Sequence, residues 1–474
     1  MSTGRHRTGS RRVGNTPRWP LWAKAYAAAC GVLLFAPAAL AAIDEETQFV
    51  LNTLSFLIWG ALVMWMCAGF TMLESGSVRT KNASVICLKN IGLYSVAGLA
   101  YYVIGYNLMY TDVGSWIGSV TPLYGPSANE LALLSGDEAA AAAVLEQNYA
   151  TMSDWFFQMV FVATSASVVS GALAERVKLW SFLAFTTVLT AIVYPIVGAW
   201  TWGGGWLNQM GFQDFAGSTI VHSTGGWAAL AGIIVVGARA GKFRANGSVK
   251  STPPSNVPAV TLGVLILWFG WLGFNGGSQL ALSGVSDAVA ISNVLVNTNL
   301  AAAAGVVAAL FVARPLFGRV DLLIILNGAI GGLVSITAGP DITTPHWAVI
   351  IGALGGVVCA SGTKLLETVK LDDVVGAVPA HLFAGIWGTL AVCIAAGGNV
   401  GVQLLGIGAV GVFVFGISWI TWMALKLVMG VRVSPSVEEV GQDAMELGIE
   451  AYPEFVVMPD PDDVGDLRND SGES

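Results

Sequence analysis

Apolar residues gather into long blocks separated by short polar stretches along nearly the whole chain. The hydrocarbon core of a bilayer is about 30 Å thick, so a helix of roughly 20 apolar residues crosses it. Eleven such windows occur, at 49–73, 84–108, 154–174, 179–201, 214–237, 257–283, 288–313, 320–338, 346–366, 374–398 and 402–430. The pattern predicts an all-α integral membrane protein with eleven transmembrane helices.

Charge along the connections orients these helices. The connections after windows 1, 3, 5, 7 and 9 carry Arg79 and Lys81; Arg176 and Lys178; Arg239, Lys242, Arg244 and Lys250; Arg314 and Arg319; and Lys370. Those after windows 2, 4, 6, 8 and 10 carry no lysine or arginine. Cations concentrate on the cytoplasmic side of membrane proteins. The expectation is a mature N-terminus outside and a C-terminus in the cytoplasm of a bacterial inner membrane. The outer connection 109–153 holds Asp112, Glu130, Asp137, Glu138 and Glu146, and reads as a solvated loop or as a gatherer of cations.

Composition and chain ends sharpen the class. Only 11% of the 474 residues are charged, against about 25% in a soluble domain. The 58 glycines include Gly328, Gly331 and Gly332 inside one apolar run, as helices packing closely in lipid require. Residues 1–41 read as a signal peptide: Arg5, Arg7, Arg11, Arg12, Arg18 and Lys24 precede the apolar run Ala25–Leu40, and Ala39-Leu40-Ala41 offers a cleavage site. An uncleaved first helix is the alternative. The transmembrane domain would then be 42–430, followed by an acidic cytoplasmic tail, 431–474, whose end, Met458–Ser474, reads as disordered. Cys67, Cys87, Cys359 and Cys393 lack metal or disulfide spacing and read as core residues.

Against this apolar background, His222 and His381 stand near the middle of two windows. An ionisable side chain at membrane depth marks a functional site unless it is a satisfied core residue. Histidine also exchanges its proton near neutral pH. The two recur in related contexts: His222 precedes Ser-Thr-Gly-Gly-Trp and His381 precedes Leu-Phe-Ala-Gly-Ile-Trp, each with glycine four residues on. They fall in windows 5 and 10, which suggests two five-helix repeats plus one extra helix. A unit of five spans must reinsert upside down, and inverted repeats place a transport site at their interface near the midplane. His222 lies eight residues after Asp214 and His381 eight after Asp373, about 12 Å from opposite faces at 1.5 Å per residue. The two imidazoles can therefore meet.

Five motifs carry a resemblance: Ser170-Gly-Ala-Leu-Ala-Glu-Arg176; Trp202-Gly-Gly-Gly205; Asp214-Phe-Ala-Gly-Ser-Thr-Ile-Val-His222; Gly270-Trp-Leu-Gly-Phe-Asn-Gly-Gly-Ser278; and Asp372-Asp-Val-Val-Gly-Ala-Val-Pro-Ala-His381. In order and spacing, from Leu51 to Tyr452, the chain resembles the ammonium transporter family (Amt/Mep/Rh), of the bacterial Amt type. The resemblance implies an outer recruitment site at Trp202 and Ser278, where an indole face attracts a compact cation and a hydroxyl accepts its hydrogen bond. It implies a stacked gate, Phe161 over Phe274, and a twin-histidine pore, His222 and His381, that relays protons. Asp214 matches the family's acidic residue near the recruitment site. By its position it is suited to cap the fifth helix, with ligation of substrate as the other reading.

The implied partners are ammonium or ammonia as substrate, membrane lipid, two further copies in a homotrimer, and a P-II signalling protein at the cytoplasmic face. The tail, however, has Gln442, Leu447 and Ile449 where the family pattern has leucine, histidine and glutamate, which puts subunit coupling and P-II control in doubt. Two histidines without a nearby cysteine or carboxylate make a poor metal set. No cofactor, metal, nucleic acid or catalytic nucleophile is expected, so the chain does not read as an enzyme. An ammonium sensor and an electroneutral ammonia channel are the competing functions. Against the sensor, the 44 residues after Gly430 are few for a signalling domain. His346 reads as a helix-boundary residue, and Glu74 and Lys89 as helix-end residues able to snorkel to water.

Overall fold

The structure, a computed structural model, describes residues 43–453. The expected signal peptide and the segment Met458–Ser474 lie outside the described residues. Among the described residues there is no β-strand, only the isolated bridges Val177 with Arg432 and Phe243 with Val249. The apolar helices are α1 Glu45–Ser77, α2 Thr80–Tyr110, α3 Thr151–Ala172, α4 Leu179–Trp200, α5 Ser218–Val236, α6 Val257–Gly277, α7 Val285–Phe317, α8 Leu322–Ile336, α9 Pro345–Thr368, α10 Val378–Ala395 and α11 Val400–Val428. Ten are long and apolar enough to cross a membrane. The eighth expected span, α8, is apolar but has 15 residues, about 22 Å at 1.5 Å per residue. Asp321 caps its start, accepting from the Leu323 N–H at 3.0 Å, and Pro340 bars continuation just beyond its end.

Repeat symmetry is visible in the packing. The opening helices of the two units, α1 and α6, pack together, as do the closing helices, α5 and α10. At the α5–α10 crossing a Cβ on Gly226 would stand 2.8 Å from the Leu382 backbone nitrogen, and one on Gly385 2.5 Å from the Ser218 carbonyl. Only glycine permits backbones that close.

The starts of α5 and α10 are built alike. Asp214 accepts from the backbone N–H groups of Gly217, Ser218, Thr219 and Ile220 at 2.7–3.2 Å. Asp373 accepts from Gly376 at 3.0 Å and Val378 at 2.7 Å. Each aspartate is followed by a left-handed glycine, Gly217 at φ 108° and Gly376 at φ 75°, which delays the helix by four residues relative to the expected windows. Each helix then opens with a π-helical turn, Ser218–Ser223 and Val378–Phe383, that carries the histidine. Such turns cluster at functional sites.

The cations of the connections meet on one face. Glu175 pairs with Arg79 at 2.8 Å and with Arg239 at 3.1 Å, and Arg239 pairs with Asp372 at 2.8 Å. Arg176 donates to the carbonyls of Gly237 and Asp372 at 2.9 and 2.6 Å. Burial works against ionised Asp372, yet the Arg239 guanidinium holds its carboxyl well below the usual carboxylate range. Connections after α1, α3, α5 and α9 therefore lie on one side, as their charges predicted. The tail joins this face: Arg432 pairs with Glu438 at 2.7 Å, and Asp443 accepts from the Ser84 and Val85 N–H groups, both at 2.8 Å. The non-matching Gln442 donates to the Val177 carbonyl at 3.1 Å, so it docks this stretch on its own chain.

Candidate functional site

A vestibule of about 470 Å³ opens beside the start of α3, lined by Trp202, Ser278 and Phe161 together with Tyr106, Tyr149 and Asp154. The Trp202 indole N–H donates to the Asp214 carbonyl at 3.0 Å, which fixes the ring. Ser278 ends α6 and donates its hydroxyl proton to the Phe274 carbonyl at 2.8 Å, leaving the oxygen lone pairs as acceptors. The Asp214 carboxylate is occupied by its four backbone donors. Burial pushes its pKa up to about 6, against the pull of those N–H groups.

The vestibule ends at an aromatic stack. Phe161 and Phe274 lie 3.9 Å apart between centroids at 27°, both fully buried. Beneath them Phe274 approaches the His222 ring at 5.2 Å, and Trp271 stacks on the same imidazole at 4.7 Å. Trp271 is itself held by its N–H bond to the Thr337 hydroxyl at 2.8 Å. His222 and His381 meet Nδ1 to Nδ1 at 3.2 Å. A single proton can occupy that contact, so one neutral ring donates and the other accepts, and their outer Nε2 atoms are left in opposite states. His222 Nε2 is buried without a protein partner.

Below His381 lies a cavity of about 20 Å³, bordered by Phe70, Glu74, Ser167 and Asn327. A wide second vestibule of about 600 Å³, on the face that carries Arg239, shares Leu73, Asn327, Val375 and Gly376 with it. The cavities and side chains thus form one file: Trp202 vestibule, Phe161, Phe274, His222, His381, small cavity, second vestibule. All six pore residues singled out in the sequence fall on or beside this file, while Asp214 supports it from the backbone.

Several residues escaped the sequence reading. Trp271 stands inside a quoted motif with no role of its own assigned to it. Asp154, one turn into α3, was counted only as a window boundary, although a carboxylate at membrane depth is itself a signal. The snorkelling expected of Glu74 and Lys89 is corrected: both are buried, and they pair at 3.7 Å. α3 covers them, and its Ser170 bonds to both: the hydroxyl donates to Glu74 at 2.7 Å and the carbonyl accepts from Lys89 at 2.7 Å. Of the cysteines expected in the core, Cys359 is buried, Cys67 and Cys393 are half-buried and Cys87 is exposed. His346 is exposed at the start of α9.

Comparison with known proteins accords with this geometry. Residues 54–452 match the Ammonium Transporter Family. Ammonium transporter Amt2 of Archaeoglobus fulgidus is 37% identical over 445 residues, covering 87% of this chain and 91% of that protein. A putative ammonium transporter of Synechocystis, sll1017, is 40% identical over 412 residues, covering 85% and 89%. Among solved structures, a Sensor Amt Protein superposes with a TM-score of 0.77 at 36% identity, covering 85% of this chain and 100% of that one. Candida albicans Mep2 superposes at 0.70 with 26% identity, covering 88% and 94%.

Proposed function

Because the chain belongs to the Ammonium Transporter Family, we propose that it carries ammonium inward by separating the cation into ammonia and a proton at the twin-histidine pore. Its relatives are transporters rather than enzymes, and its substrate is ammonium. The observation that carries the mechanism is the 3.2 Å imidazole contact directly beneath a closed aromatic stack.

The physical argument is desolvation. Moving a bare cation into an apolar passage costs many kcal/mol, whereas a neutral amine is penalised far less. Trp202 and Ser278 hold the ammonium ion in the vestibule. The ion gives up a proton there, and ammonia passes when Phe161 and Phe274 swing apart. Beside the imidazoles it can hydrogen-bond to the unpartnered His222 Nε2. The released proton follows through the Nδ1 contact by exchange of which ring donates. Potassium has no proton to lose, so the same pore excludes it.

The positive-inside pattern supports a cytoplasmic Arg79–Arg239–Arg432 face in a bacterial inner membrane, with the Trp202 vestibule outside. The domain division is a cleaved segment 1–41, a transmembrane body 42–430 and a cytoplasmic tail. Assembly is a homotrimer in membrane lipid, with P-II docking at the tail's face. Similarity to a Sensor Amt Protein keeps a sensing role as the second reading. The test is an ammonium pulse on reconstituted vesicles with current recorded. The parent gives a saturable inward current and His222→Asp gives none while folded. A silent parent that still binds ammonium would point to the sensor; an unchanged current in the variant would remove the histidine relay.

A further inference from the structure

A proton that reaches His381 needs somewhere to go, and the relay proposed above leaves that step open. We propose that Glu74, buried in α1 beside the small cavity, is the proton-accepting group that takes the proton from His381 and releases it to the second vestibule. The inference rests on the relay reading and extends it toward the cytoplasmic side.

Three observations point to Glu74. First, its two oxygens are unequal. Oε2 accepts from the Ser170 hydroxyl at 2.7 Å and faces the Lys89 ammonium at 3.7 Å. Oε1 is buried and makes no hydrogen bond to protein. A carboxylate oxygen left without a donor inside a membrane protein is costly, and the cost persists only where something else serves it.

Second, Glu74 and His381 line the same cavity, and Ser167 lines it with them. Its volume of about 20 Å³ accommodates one water, for which about 10–15 Å³ and two or more polar partners suffice. One water spanning His381 and Glu74 Oε1 completes a proton path. Gly171 keeps the space open, since a Cβ there would meet Val375 Cγ2 at 2.5 Å and Glu74 Cδ at 3.5 Å.

Third, Lys89 is positioned to hold the charge balance. Its ammonium donates to the Ser170 carbonyl at 2.7 Å and lies over the Phe182 ring at 5.3 Å. Other polar groups near Glu74 include Asn90, the Cys67 and Cys87 thiols and, on the cavity wall, Ser167 and Asn327, and none supplies a positive charge that would replace Lys89. Ionised Glu74 is neutralised by Lys89 between turnovers. In the transfer, the His381 N–H bond breaks, the water relays, and an O–H bond forms at Oε1. That bond then breaks as the proton leaves for water in the second vestibule, and the carboxylate returns.

Glu74 could instead only tie α1, α2 and α3 together, and the experiment separates the two roles. Parent, Glu74→Gln, Glu74→Gln/Lys89→Gln and Glu74→Asp are reconstituted in phospholipid vesicles containing a pH-sensitive dye. Ammonium-pulse current and ammonia permeation, read as lumenal alkalinisation, are recorded on the same vesicles. Both Gln variants are expected to lose current at least tenfold while lumenal alkalinisation rises above the parent's, because ammonia then enters without its proton, and Glu74→Asp to recover part of the current. A tie between helices would lower the current without raising the alkalinisation, which overturns the proposal, as does parent-level current in either Gln variant. Should both Gln variants fail to fold, infrared difference spectra of the parent under ammonium flux decide it. A protonated-carboxyl band that shifts in Glu74→Asp supports the proposal, and its absence overturns it. The relay itself fails only if His222→Asp conducts like the parent; a silent His222→Asp beside a conducting Glu74→Gln sinks this step alone.

Discussion

Asp372→Asn is a sharp test of the charged face that ties together the connections after α1, α3, α5 and α9. Asp372 is fully buried, and its carboxylate takes three donors from one residue. The Arg239 backbone N–H and Nε reach Oδ2 at 2.9 and 2.8 Å, and Nη2 reaches Oδ1 at 2.9 Å. The Arg239 side chain is only 6% exposed, so solvent screening offers little relief. Removing one member of a buried pair costs about 3–5 kcal/mol. Glu175 still faces Arg239 at 3.1 Å, so the lower end applies, about 3 kcal/mol. The assay is equilibrium unfolding in mixed micelles across pH. The folded carboxyl lies well below its unfolded value of about 3.9. Its contribution is therefore complete above that unfolded value and fades as pH falls toward the folded one. Parent and variant should differ by about 3 kcal/mol at pH 7 and converge in acid. A gap under about 1 kcal/mol at pH 7, or one that persists unchanged in acid, would refute the reasoning.

Other perturbations read the pore directly. Phe274→Ala removes the ring that stacks 3.9 Å from Phe161, the proposed gate; a potassium current absent from the parent should appear in vesicle recordings, and continued exclusion of potassium would show that the stack is not the barrier. Gly226→Ala forces a methyl to within 2.8 Å of the Leu382 backbone, so α5 and α10 must separate. Ammonium current should fall by more than tenfold, with thermal unfolding shifted down, and a parent-like current would mean the imidazole contact tolerates that shift. Trp271→Phe loses the Thr337 bond at 2.8 Å and loosens the stacked His222. Current at saturating ammonium should drop several-fold while the half-saturating concentration, set in the Trp202 vestibule, holds; a change in half-saturation alone would place Trp271 in recruitment.

Much of the architecture could be read along one dimension. The windows of apolar residues, the alternation of cations between connections and the eight-residue step from Asp214 to His222 and from Asp373 to His381 are local or periodic properties. Lipid imposes them directly, because every span must be apolar and internally hydrogen-bonded. The family motifs likewise lie in short continuous runs that hold Trp202, Ser278, Phe274, His222 and His381, while Phe161, outside those runs, came from the resemblance as a whole.

Partnership needed three dimensions. That Arg239 would clasp Asp372, 133 residues away, or that Glu74 would meet Lys89 under α3 instead of reaching water, depends on which helices end up adjacent. The same holds for the pore contact. Spacing set both histidines at similar depth, but the left-handed glycines and π-helical turns rotate each ring, and that rotation makes Nδ1 face Nδ1 at 3.2 Å. A helical period of 3.6 residues cannot disclose such a turn, because one inserted residue shifts the facing direction by about 100° while leaving the hydrophobic pattern intact. The burial of a charge is similarly invisible in sequence, since its cost is decided by neighbours that only the folded chain supplies.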